Sequence, residues 1–524
     1  MFDYMKKTNN NSMYLFKIEE TEVINIVKAC KSKTSNDYNR LSMSIVKSVI
    51  EYIIKPFTHI CNRSFEQGIF PDNMKIAKVI PLFKSGDKNV FTNYRPVSLL
   101  PQFSKILEKL FNKRLDNFIE KYKLLIESQY GFRSKRSTAL AILELLEEIT
   151  NASVNREFTI GIFVDLKKAF DTIDHNLLSK KLEFYGIRGI ANDWIKSYLY
   201  KRKQYVQIDD FSSDYQEVVC GVPQGSILGP KLFILYINDI CNVSSLFKYI
   251  LFADDTNLFC SGKDLGILSK QICLELNKLD NWFAINKLSL NVTKTNFMLF
   301  GNRNKSNCII SIKNKEIERV QVTKFLGILI DENFNWKEHI KLVISKLSKS
   351  IAIILRAKKV LDSQSLLTLY CSLFLPYLSY CAEIWGNTYK SNILPIILLQ
   401  KKVIRIITKS YFTDHTTPLF VKLHLLKFED IVKLQTGIIM YKAKCNLLPI
   451  NLQNMFKLNN LSSIETRQKN NFFQKYVRTS SKSMCISVLG VKLWNSLNSV
   501  ITNSRNVKAF KYSYKKFLLS NYSS

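Results

Sequence analysis

The sequence has few of the residues that build zinc sites, disulfide frameworks or membrane spans. There are five histidines among 524 residues, and the eleven cysteines are scattered without a Cys-x-x-Cys pair. This spacing argues against a zinc ribbon and a disulfide-stapled fold, and it is typical of reduced thiols that act as small hydrophobic residues. The longest apolar run, residues 366–381, is interrupted by Pro376 and is too short to span a bilayer comfortably.

Recognisable targeting signals are also missing. The first fourteen residues contain no apolar core of signal-peptide length. The basic turn of Lys201, Arg202 and Lys203 is too short to argue for nuclear import. We therefore expect an intracellular protein, in the nucleus and/or the cytoplasm, that does not associate with a membrane.

Acidic residues are scarce relative to basic ones. The chain has 43 Asp and Glu against 76 Lys and Arg, a formal net charge of +33 and a sequence pI near 9.6. Such an excess favours a polyanionic partner. The chain is rich in Lys, Asn and Ile throughout, and a compositional bias of the genome would raise the Lys count without selection for binding. The charge therefore supports a nucleic-acid partner without establishing one.

Two adjacent aspartates interrupt an otherwise apolar stretch, YILFADDTNLF, at residues 249–259. The flanking β-branched and aromatic residues predict a strand, a tight turn at the Ala-Asp-Asp-Thr tip and a returning strand. Neighbouring strand residues face opposite ways, so Asp254 and Asp255 are not expected to decorate one solvated face. A divalent cation such as Mg²⁺ explains two mutually repelling carboxylates, and an acidic hairpin turn is the simpler alternative.

A third carboxylate ends a buried strand. The apolar run FTIGIFVDL, residues 158–166, predicts a strand that ends in Asp165, with a helix over residues 167–185. A strand end fixes a carboxylate while the following loop opens the site, which suits a metal ligand. Phe170 then lies beside the same site. In a polymerase, a bulky ring at this place would lie under the sugar of the incoming nucleotide and exclude a 2′-OH; packing of Phe170 in the core is the alternative.

A basic hairpin is predicted over residues 76–100, as a strand, a Lys-Ser-Gly-Asp turn and an extended segment with Tyr94-Arg95-Pro96. Lys84 at the turn and Arg95 on the returning segment are suited to gripping one triphosphate. Ordinary exposed charges beside a hairpin are the alternative.

Aromatic and basic residues mix in the loop between two predicted helices, residues 103–122 and 139–154. Tyr130 and Phe132 lie among Arg133, Lys135 and Arg136, a mixture that stacks bases and follows a nucleic-acid backbone. A helix cap at Ser137 or Thr138 explains part of this loop more simply.

A glycine-rich loop opens an apolar helix at residues 220–240. Its glycines allow the backbone to approach a ligand closely, and Gln224 at the tip can bond to a base or sugar. Further on, Lys294 precedes a strand and is placed to meet a phosphate, although a lone lysine is more often solvated.

Helices are expected at both ends of the chain. Two apolar stripes, Ile18, Val23, Ile26, Val27 and Ile45, Val49, Tyr52, Ile53, predict surface helices that each bury one face. Helical patterns return at residues 336–357, 363–375 and 394–407. The last hundred residues, including the polar stretch 459–471, suggest no chemistry.

In this order and spacing, the motifs resemble a reverse transcriptase, most closely those of non-LTR retrotransposons of the jockey-like kind. The resemblance is carried by NYRPVSLLPQFSKILEK (93–109), QYGFRSKRSTALAI (129–142), FVDLKKAFDTIDH (163–175), GVPQGSILGPKLFILYINDI (221–240), YILFADDTNLF (249–259), NVTKT (291–295) and FLGILID (325–331). Each motif alone is weak to moderate, and the ordered set is highly specific.

The resemblance implies an α+β fold of the right-hand polymerase type, with fingers, a palm built on an antiparallel sheet and a helical thumb. Its implied division is an N-terminal helical extension at 1–75, fingers and palm at 76–335, a thumb-like helical region at 336–410 and a C-terminal region of unknown role at 411–524. The implied partners are an RNA template, a DNA primer or target, and deoxynucleoside triphosphates.

The resemblance also implies roles for single residues. Asp165, Asp254 and Asp255 would bind two Mg²⁺ ions, with Mn²⁺ as an alternative. Lys84 and Arg95 would bind the triphosphate, and Phe170 would act as the steric gate. Gln224 and Gly225 would contact template and nucleotide, and Lys294 would help to protonate pyrophosphate. The residues expected to contact primer and template are Arg133, Arg136, Phe325, Leu326 and Gly327.

Two departures from the family pattern affect the expected function. The chain has too few residues before the fingers for the endonuclease that relatives usually carry, and it has no C-terminal zinc knuckle. We therefore expect polymerase chemistry without target nicking, from a truncated element copy or an incomplete gene model.

Three alternatives are weighed against a retrotransposon polymerase. A group II intron enzyme is disfavoured by residues 336–385 and by the lack of a maturase-like basic block, and an RNA-dependent RNA polymerase is disfavoured by Phe170. A decayed nucleic-acid-binding protein remains the alternative of a different class.

Overall fold

The computed structural model describes residues 4–5, 8–301, 308–459 and 471–522. Over these ranges the chain is a mixed α/β protein, with two five-stranded sheets, two short hairpins and many helices. This combination agrees with the expected presence of both a sheet and extensive helical regions.

The strands alternate with helices along the chain. They are β1 Ile76–Phe83, β2 Tyr94–Leu99, β3 Phe158–Val164, β4 Arg202–Ile208, β5 Phe211–Ser212, β6 Gln216–Val218, β7 Lys248–Phe252, β8 Asp255–Gly262, β9 Asn296–Phe300, β10 Ser311–Ile312, β11 Lys315–Glu316, β12 Glu318–Arg319, β13 Val322–Phe325 and β14 Ile328–Asp331.

The helices dominate both ends of the chain. They are α1 Glu20–Ala29, α2 Met43–Gln67, α3 Gln102–Tyr122, α4 Thr138–Val154, α5 His175–Phe184, α6 Ile190–Leu199, α7 Gly229–Tyr236, α8 Leu265–Ile285, α9 Lys337–Ala357, α10 Ser363–Leu369, α11 Leu375–Ser379, α12 Ala382–Trp385, α13 Lys390–Thr408, α14 Thr416–Lys422, α15 Phe428–Lys444, α16 Ile450–Gln453, α17 Ser480–Ser483, α18 Ile486–Asn495, α19 Ser499–Thr502 and α20 Val507–Ser520.

The two sheets are built differently. In the first, the strand order is β2-β1-β4-β5, with β6 also paired to β4, and β1 runs antiparallel to β2 but parallel to β4. In the second, the order is β12-β9-β3-β8-β7, and the pairs of β3 with β8, β3 with β9 and β7 with β8 are antiparallel. The second sheet therefore has the antiparallel centre that the resemblance implies.

The second sheet separates two hydrophobic cores. Because alternate residues of a strand face opposite ways, Ile160 and Ile162 on β3 join a core with the N-terminal helices and α8. Phe163 points to the other core, with Phe259 of β8 and Phe300 of β9, where α4 and the C-terminal helices pack. The sheet is thus covered on both faces, which holds its edge residues in place.

The buried face of α2 differs from the prediction. Ile45, Val49 and Tyr52 are exposed, Tyr52 to 87%, whereas Val46 and Ile50 are buried. Two apolar stripes run along this helix, and the stripe that continues through Phe57, Cys61 and Phe65 faces the core. The predicted stripe was therefore wrong, because helical spacing alone does not say which of two stripes finds a partner.

The helix after β3 begins later than predicted. Residues 167–174 form a loop with a 3-10 turn at Ala169–Asp171, and α5 begins only at His175. The Asp174 side chain accepts a hydrogen bond from the Leu177 N–H, which caps the helix there. Lys168 has a φ of 48°, outside the helical range. The prediction of a helix from residue 167 was therefore wrong over its first two turns.

The predicted basic turn contains one residue that is not part of the surface. Arg202 is the first residue of β4 and is only 2% exposed, with its guanidinium over the Tyr198 ring and donating to the Tyr198 carbonyl. Lys201 and Lys203 on either side are exposed. The turn is therefore less basic at the surface than its sequence indicates.

The C-terminal helices pack against α4. Buried Glu147 of α4 pairs with Lys482 and accepts from the Ser487 hydroxyl at 2.8 Å. Asn451 donates to Glu144 at 2.8 Å. Residues 336–410 and those beyond 411 share one hydrophobic core. Most of the polar stretch 459–471 lies outside the described residues.

The cysteines are free thiols, as their spacing predicts, and Cys61, Cys260 and Cys381 are buried. Among the described residues, none of the helices is both long and apolar enough to cross a membrane.

Candidate active site

The acidic pair lies at the tip of the β7–β8 hairpin, so the predicted strand, turn and returning strand are present. The last pair of the hairpin joins Phe252 to Asp255, and Ala253 turns the chain with a φ of 56°. Asp254 belongs to the turn and Asp255 begins β8. Both side chains are exposed, so the argument from alternating strand faces does not apply to them.

A neighbouring segment braces this tip through its backbone. The Tyr130 N–H donates to the Leu251 carbonyl at 2.7 Å, and the Leu251 N–H donates to the Ser128 carbonyl at 2.9 Å. The Gln129 side-chain oxygen accepts from the N–H of Ala253 at 3.2 Å and of Gly131 at 2.8 Å. A tight turn with a positive φ on an alanine is costly, and these bonds hold it.

Gly131 lies directly against the hairpin tip. A Cβ at this position would be 2.4 Å from the Ala253 nitrogen and 3.0 Å from the Phe252 carbonyl carbon, both backbone atoms. Sequence reasoning gave no role to Gln129 or Gly131, although both stand in the motif QYGFR. The signal was the glycine itself, since a close backbone approach is one reason for glycine in a loop.

Asp165 follows β3 at the same edge of the sheet. The β3–β8 register pairs Val164 with Thr256, so its continuation by one residue brings Asp165 beside Asp255. Asn291 donates from Nδ2 to Asp165 Oδ2 at 2.8 Å and from its backbone N–H to the Asp165 carbonyl at 2.9 Å. The Asp165 N–H donates to Thr295 Oγ1 at 3.3 Å.

The motif NVTKT thus contacts Asp165 through Asn291 and Thr295, which sequence reasoning missed. Lys294 is exposed, and its N–H donates to the Asn291 carbonyl at 3.0 Å. Its predicted role at pyrophosphate stays a prediction.

The three carboxylates influence one another. Although Asp255 remains exposed, surrounding protein partly withdraws its carboxyl from water, and this effect, followed by the negative charges of Asp254 and Asp165, raises the pKa of the carboxyl to about 6. Withdrawal from water also raises the pKa of Asp254, and the charge of Asp165 adds to this.

The carboxylates do not form a closed cage. In the part of the chain that the structure describes, no group of three or more His, Cys, Asp or Glu side chains is arranged to hold a metal ion. The three offer only oxygen donors and repel one another, which is the chemistry that a hard divalent cation satisfies.

Two cations from the first sheet approach the acidic tip. Leu82 pairs with Arg95 across the β1–β2 hairpin, and the Lys84 N–H donates to the Asn93 carbonyl at 2.9 Å. The positive charges of Arg95 and Lys84 lower the pKa of Asp254, against the larger effect of its withdrawal from water. Both side chains are exposed, so they remain accessible to an anionic ligand.

The glycine-rich loop connects this sheet to the segment after β3. The Ser98 N–H of β2 donates to the Gln224 carbonyl at 2.7 Å, and Gln224 Nε2 donates to Asp171 Oδ1 at 2.8 Å. Gly225 has a φ of 119°, and a Cβ there would lie 2.7 Å from the Ser98 carbonyl oxygen. Gln224 and Asp171 line a cavity of about 350 Å³ beside this loop.

Phe170 is half-buried and adjoins the same loop. Its ring packs on Phe233 with centroids 4.7 Å apart, and its carbonyl accepts from the Val222 N–H at 2.8 Å. The core contact is therefore present, and part of the ring stays accessible. The contact with a nucleotide sugar stays a prediction beside it.

The aromatic and basic loop before α4 is divided, with Phe132 and Lys135 exposed while its other aromatic and basic side chains are largely covered. Tyr130 is 1% exposed and bonds to Glu144, so it does not offer a face for base stacking. Arg133 donates to the Ile126 carbonyl at 2.6 Å, and Arg136 pairs with Glu127. The stacking interpretation of Tyr130 is therefore wrong, because its ring is covered by protein.

The predicted contacts of the two arginines of this loop with primer and template stay predictions. Their side chains are 10% and 6% exposed for Arg133 and Arg136. The cap at Ser137 is present, since its hydroxyl accepts from the Leu140 N–H.

A tight turn joins β13 to β14 at Leu326 and Gly327, with φ values of 44° and 88°. Phe325 is buried, and the Tyr380 hydroxyl donates to the Leu326 carbonyl at 2.6 Å. The contact joins the predicted primer-binding turn to the end of α11. Tyr380 had no predicted role, since nothing local in the sequence links it to residue 326.

Residues 84–330 match the protein family described as Reverse transcriptase (RNA-dependent DNA polymerase). The chain is 26% identical over 462 residues to the RNA-directed DNA polymerase from mobile element jockey of Drosophila melanogaster, covering 86% of this chain and 50% of that protein. It is 26% identical to two others from that organism, each described as a probable RNA-directed DNA polymerase. One is from transposon X-element, with 79% and 47% covered, and one is from transposon BS, with 80% and 48% covered. The chain spans about half the length of these relatives.

Proposed function

We propose that this chain, which carries a reverse transcriptase domain over residues 84–330, is an RNA-directed DNA polymerase of a non-LTR retrotransposon. It extends a DNA 3′-OH on an RNA template by two-metal nucleotidyl transfer. The observation that carries the proposal is the meeting of Asp165 with Asp254 and Asp255 at one sheet edge, facing Arg95 and Lys84.

The proposal assigns the parts of a right hand to the fold. The first sheet with its hairpin corresponds to the fingers, the second sheet to the palm, and helices α9 to α13 to the thumb. The antiparallel centre of the second sheet and the run of helices that follows β14 support this assignment.

The carboxylates of the acidic edge are the residues that would hold divalent metal ions. Asp165, Asp254 and Asp255 would hold two Mg²⁺ ions, or Mn²⁺, since hard cations prefer carboxylate oxygens. Bound there, the ions supply activation of the primer 3′-OH and charge stabilisation of the triphosphate and the pyrophosphate leaving group. Asn291 orients Asp165 through its 2.8 Å hydrogen bond, and the Gln129–Gly131 brace positions the other two carboxylates.

The remaining residues bind the nucleotide and the nucleic acid. Lys84 and Arg95 neutralise the triphosphate. Phe170 lies under the nucleotide sugar and disfavours a 2′-OH, while Gln224 and Gly225 contact the nucleotide and the template. Lys294 assists the departure of pyrophosphate as a proton donor.

The primer and template contacts are assigned to three places. The turn at Phe325, Leu326 and Gly327 supports the primer end, and its backbone is held by Tyr380. Arg133 and Arg136 approach the template only from the partly covered loop before α4.

The test is primer extension on poly(A) RNA with oligo(dT), dTTP and Mg²⁺. Asp254→Asn should reduce extension by about 10³-fold or more, because charge stabilisation is commonly the largest catalytic contribution. Binding of the RNA should stay within a few fold, since this carboxylate serves the metal. Asp210→Asn is the matched control, as Asp210 is exposed at the β4–β5 turn.

Near-full activity of Asp254→Asn would contradict the role as a metal ligand. An inactive wild-type chain that still binds RNA at moderate salt would instead favour a nucleic-acid-binding protein without catalysis.

A further inference from the structure

The end of the chain is basic because it lacks acidic residues altogether. No Asp or Glu occurs after Glu465, whereas eleven Lys and Arg fall among the last 59 residues. At the frequency of the whole chain, 43 acidic residues in 524, about five would fall in such a segment. A compositional bias toward Lys would raise the number of lysines, but it would not remove Asp and Glu from this one segment while the rest of the chain keeps them. The region had no predicted chemistry.

Helix α20 concentrates this charge on one face. At 100° per residue, Lys508, Lys511, Tyr512, Lys515 and Lys516 fall within an arc of about 140°. Four of them are exposed and Lys515 is half-buried. We call these five residues the α20 basic face.

The opposite face of α20 anchors the helix. Phe510 stacks on Tyr441 and Trp494 with centroids 4.8 and 5.8 Å apart. Tyr514 packs so closely on Gly437 that a Cβ there would lie 2.7 Å from its ring. The α20 basic face is therefore held on a rigid support.

The lysines of the α20 basic face are not neutralised by ion pairs among the described residues. The nearby acid Asp430 is engaged by Lys433 at 2.9 Å and by the Tyr522 hydroxyl at 2.5 Å. Burial, followed by the Asp430 carboxylate, raises the pKa of Tyr522 beyond the end of α20, and Glu429 on the same helix as Asp430 adds a smaller effect. Four adjacent positive charges without counter-ions repel one another, and a bound polyanion relieves this repulsion.

Tyr512 stands among these lysines and is 72% exposed. Exposed aromatic rings within a basic surface stack unpaired bases while the cations follow the backbone. A membrane surface fits less well, because an interfacial helix inserts an apolar face, and here Phe510, Tyr514 and Leu518 are buried in the protein.

We infer that the α20 basic face binds single-stranded RNA, as a second binding surface outside the polymerase site. Its lysines contact phosphates and Tyr512 stacks on a base. The inference goes beyond the proposed polymerase activity and does not depend on it, because binding is measured without catalysis. In a polymerase, such a surface would hold the template strand.

The experiment measures the salt dependence of binding of the full chain to a single-stranded RNA oligonucleotide. Replacing Lys508, Lys511, Lys515 and Lys516 together by Gln removes up to four phosphate contacts. The slope of log K against log salt should fall in magnitude by up to about 2.8, at about 0.7 per contact. Replacing the same lysines by Arg should retain the slope.

The matched control removes four exposed lysines that have acidic partners. These are Lys28, Lys196, Lys278 and Lys341, paired with Glu51, Asp193, Glu275 and Glu338. Their joint replacement by Gln changes the net charge equally and should leave the slope within about 0.5 of wild type, since few or no phosphate contacts are lost.

Tyr512→Ala provides a second, uncharged test. It should weaken RNA binding about fivefold or more at every salt concentration without changing the slope, as expected for a lost stacking contact. Vesicles of phosphatidylserine and phosphatidylcholine, used as the membrane probe, should bind the wild type and the four-Gln variant equally.

Equal slopes for the α20 and control variants would overturn the inference, and so would vesicle binding that is lost only in the α20 variant. Primer extension on a preformed primer–template at low salt should differ less than about twofold between wild type and the α20 variant. If the wild-type chain shows no extension while the α20 variant shows the predicted loss of slope, the proposed function is contradicted. The inference that the α20 basic face binds RNA is then still supported.

Discussion

The substitution Gly131→Ala tests whether the brace at the hairpin tip positions the catalytic carboxylates. The added Cβ would meet the Ala253 nitrogen at 2.4 Å and two further backbone atoms at 3.0 and 3.2 Å. Backbone atoms cannot rotate away as a side chain does. Relief to an ordinary contact of about 3.5 Å requires the tip or the brace to move by about 1 Å.

A displacement of this size has a large expected effect on catalysis. A misplacement of about 1 Å commonly costs about 100-fold in rate, and Asp254 and Asp255 directly follow the displaced Ala253. We expect kcat of primer extension to fall by about this factor, while the Kd for a primer–template changes less than about threefold. Overpacking of this kind also costs about 1–3 kcal/mol of stability.

The assay is single-turnover extension with Mg²⁺, run at a temperature well below the unfolding midpoint of the variant. Gly266→Ala is the control, because Gly266 lies in α8 and a Cβ there would meet only the Asp264 carboxylate, at 3.4 Å. A kcat within about twofold of wild type for Gly131→Ala would refute the reasoning. A Gly131→Ala variant that is inactive because it is unfolded would not support the reasoning either. Its folding is therefore checked by circular dichroism in the same experiment.

Two further predictions concern single side chains. Phe170→Ala should increase the incorporation of ribonucleotides relative to deoxynucleotides by about tenfold or more, since space opens under the sugar; unchanged discrimination with a lowered unfolding temperature would leave only its packing on Phe233. Buried Glu383 has a side-chain oxygen without a hydrogen-bond partner among the described residues, and burial raises the pKa of this carboxyl to about 7. Because the pKa of Glu383 is higher in the folded than in the unfolded chain, its contribution to stability is fully present below about pH 4.5. The free energy of unfolding then falls as the pH rises through 7, by up to about 3 kcal/mol. Glu383→Gln should remove this loss, and denaturant unfolding at pH 5 and pH 8.5 measures it; equal pH dependence in both proteins would contradict the assignment.

Local patterns predicted the strands and turns that carry the acidic residues. The alternation from apolar run to turn residues located the β1–β2 and β7–β8 hairpins and the strand before Asp165. These features depend on neighbours within a few residues, such as the β-branched and aromatic side chains beside Ala253. The glycines at 221 and 225 likewise indicated close backbone approaches.

Contacts between distant segments were decided only by the tertiary structure. The bond from Asn291 to Asp165 spans 126 residues, and the one from Tyr380 to Leu326 spans 54. The partner of each depends on strand register and on how the helices pack, and neither leaves a periodic signal.

The same distinction explains the errors. Helical spacing along α2 predicted a buried stripe through Ile45, Val49 and Tyr52, but packing against the core buries the stripe through Val46 and Ile50 instead. The residue types around Tyr130 indicated a nucleic-acid surface, yet Tyr130 is buried with a bond to Glu144 and Arg136 is paired with Glu127. The sequence by itself thus determined which residues carry the chemistry and which local elements hold them. The tertiary structure decided which of them are exposed and which are paired, because burial and ion pairing depend on segments that meet only after folding.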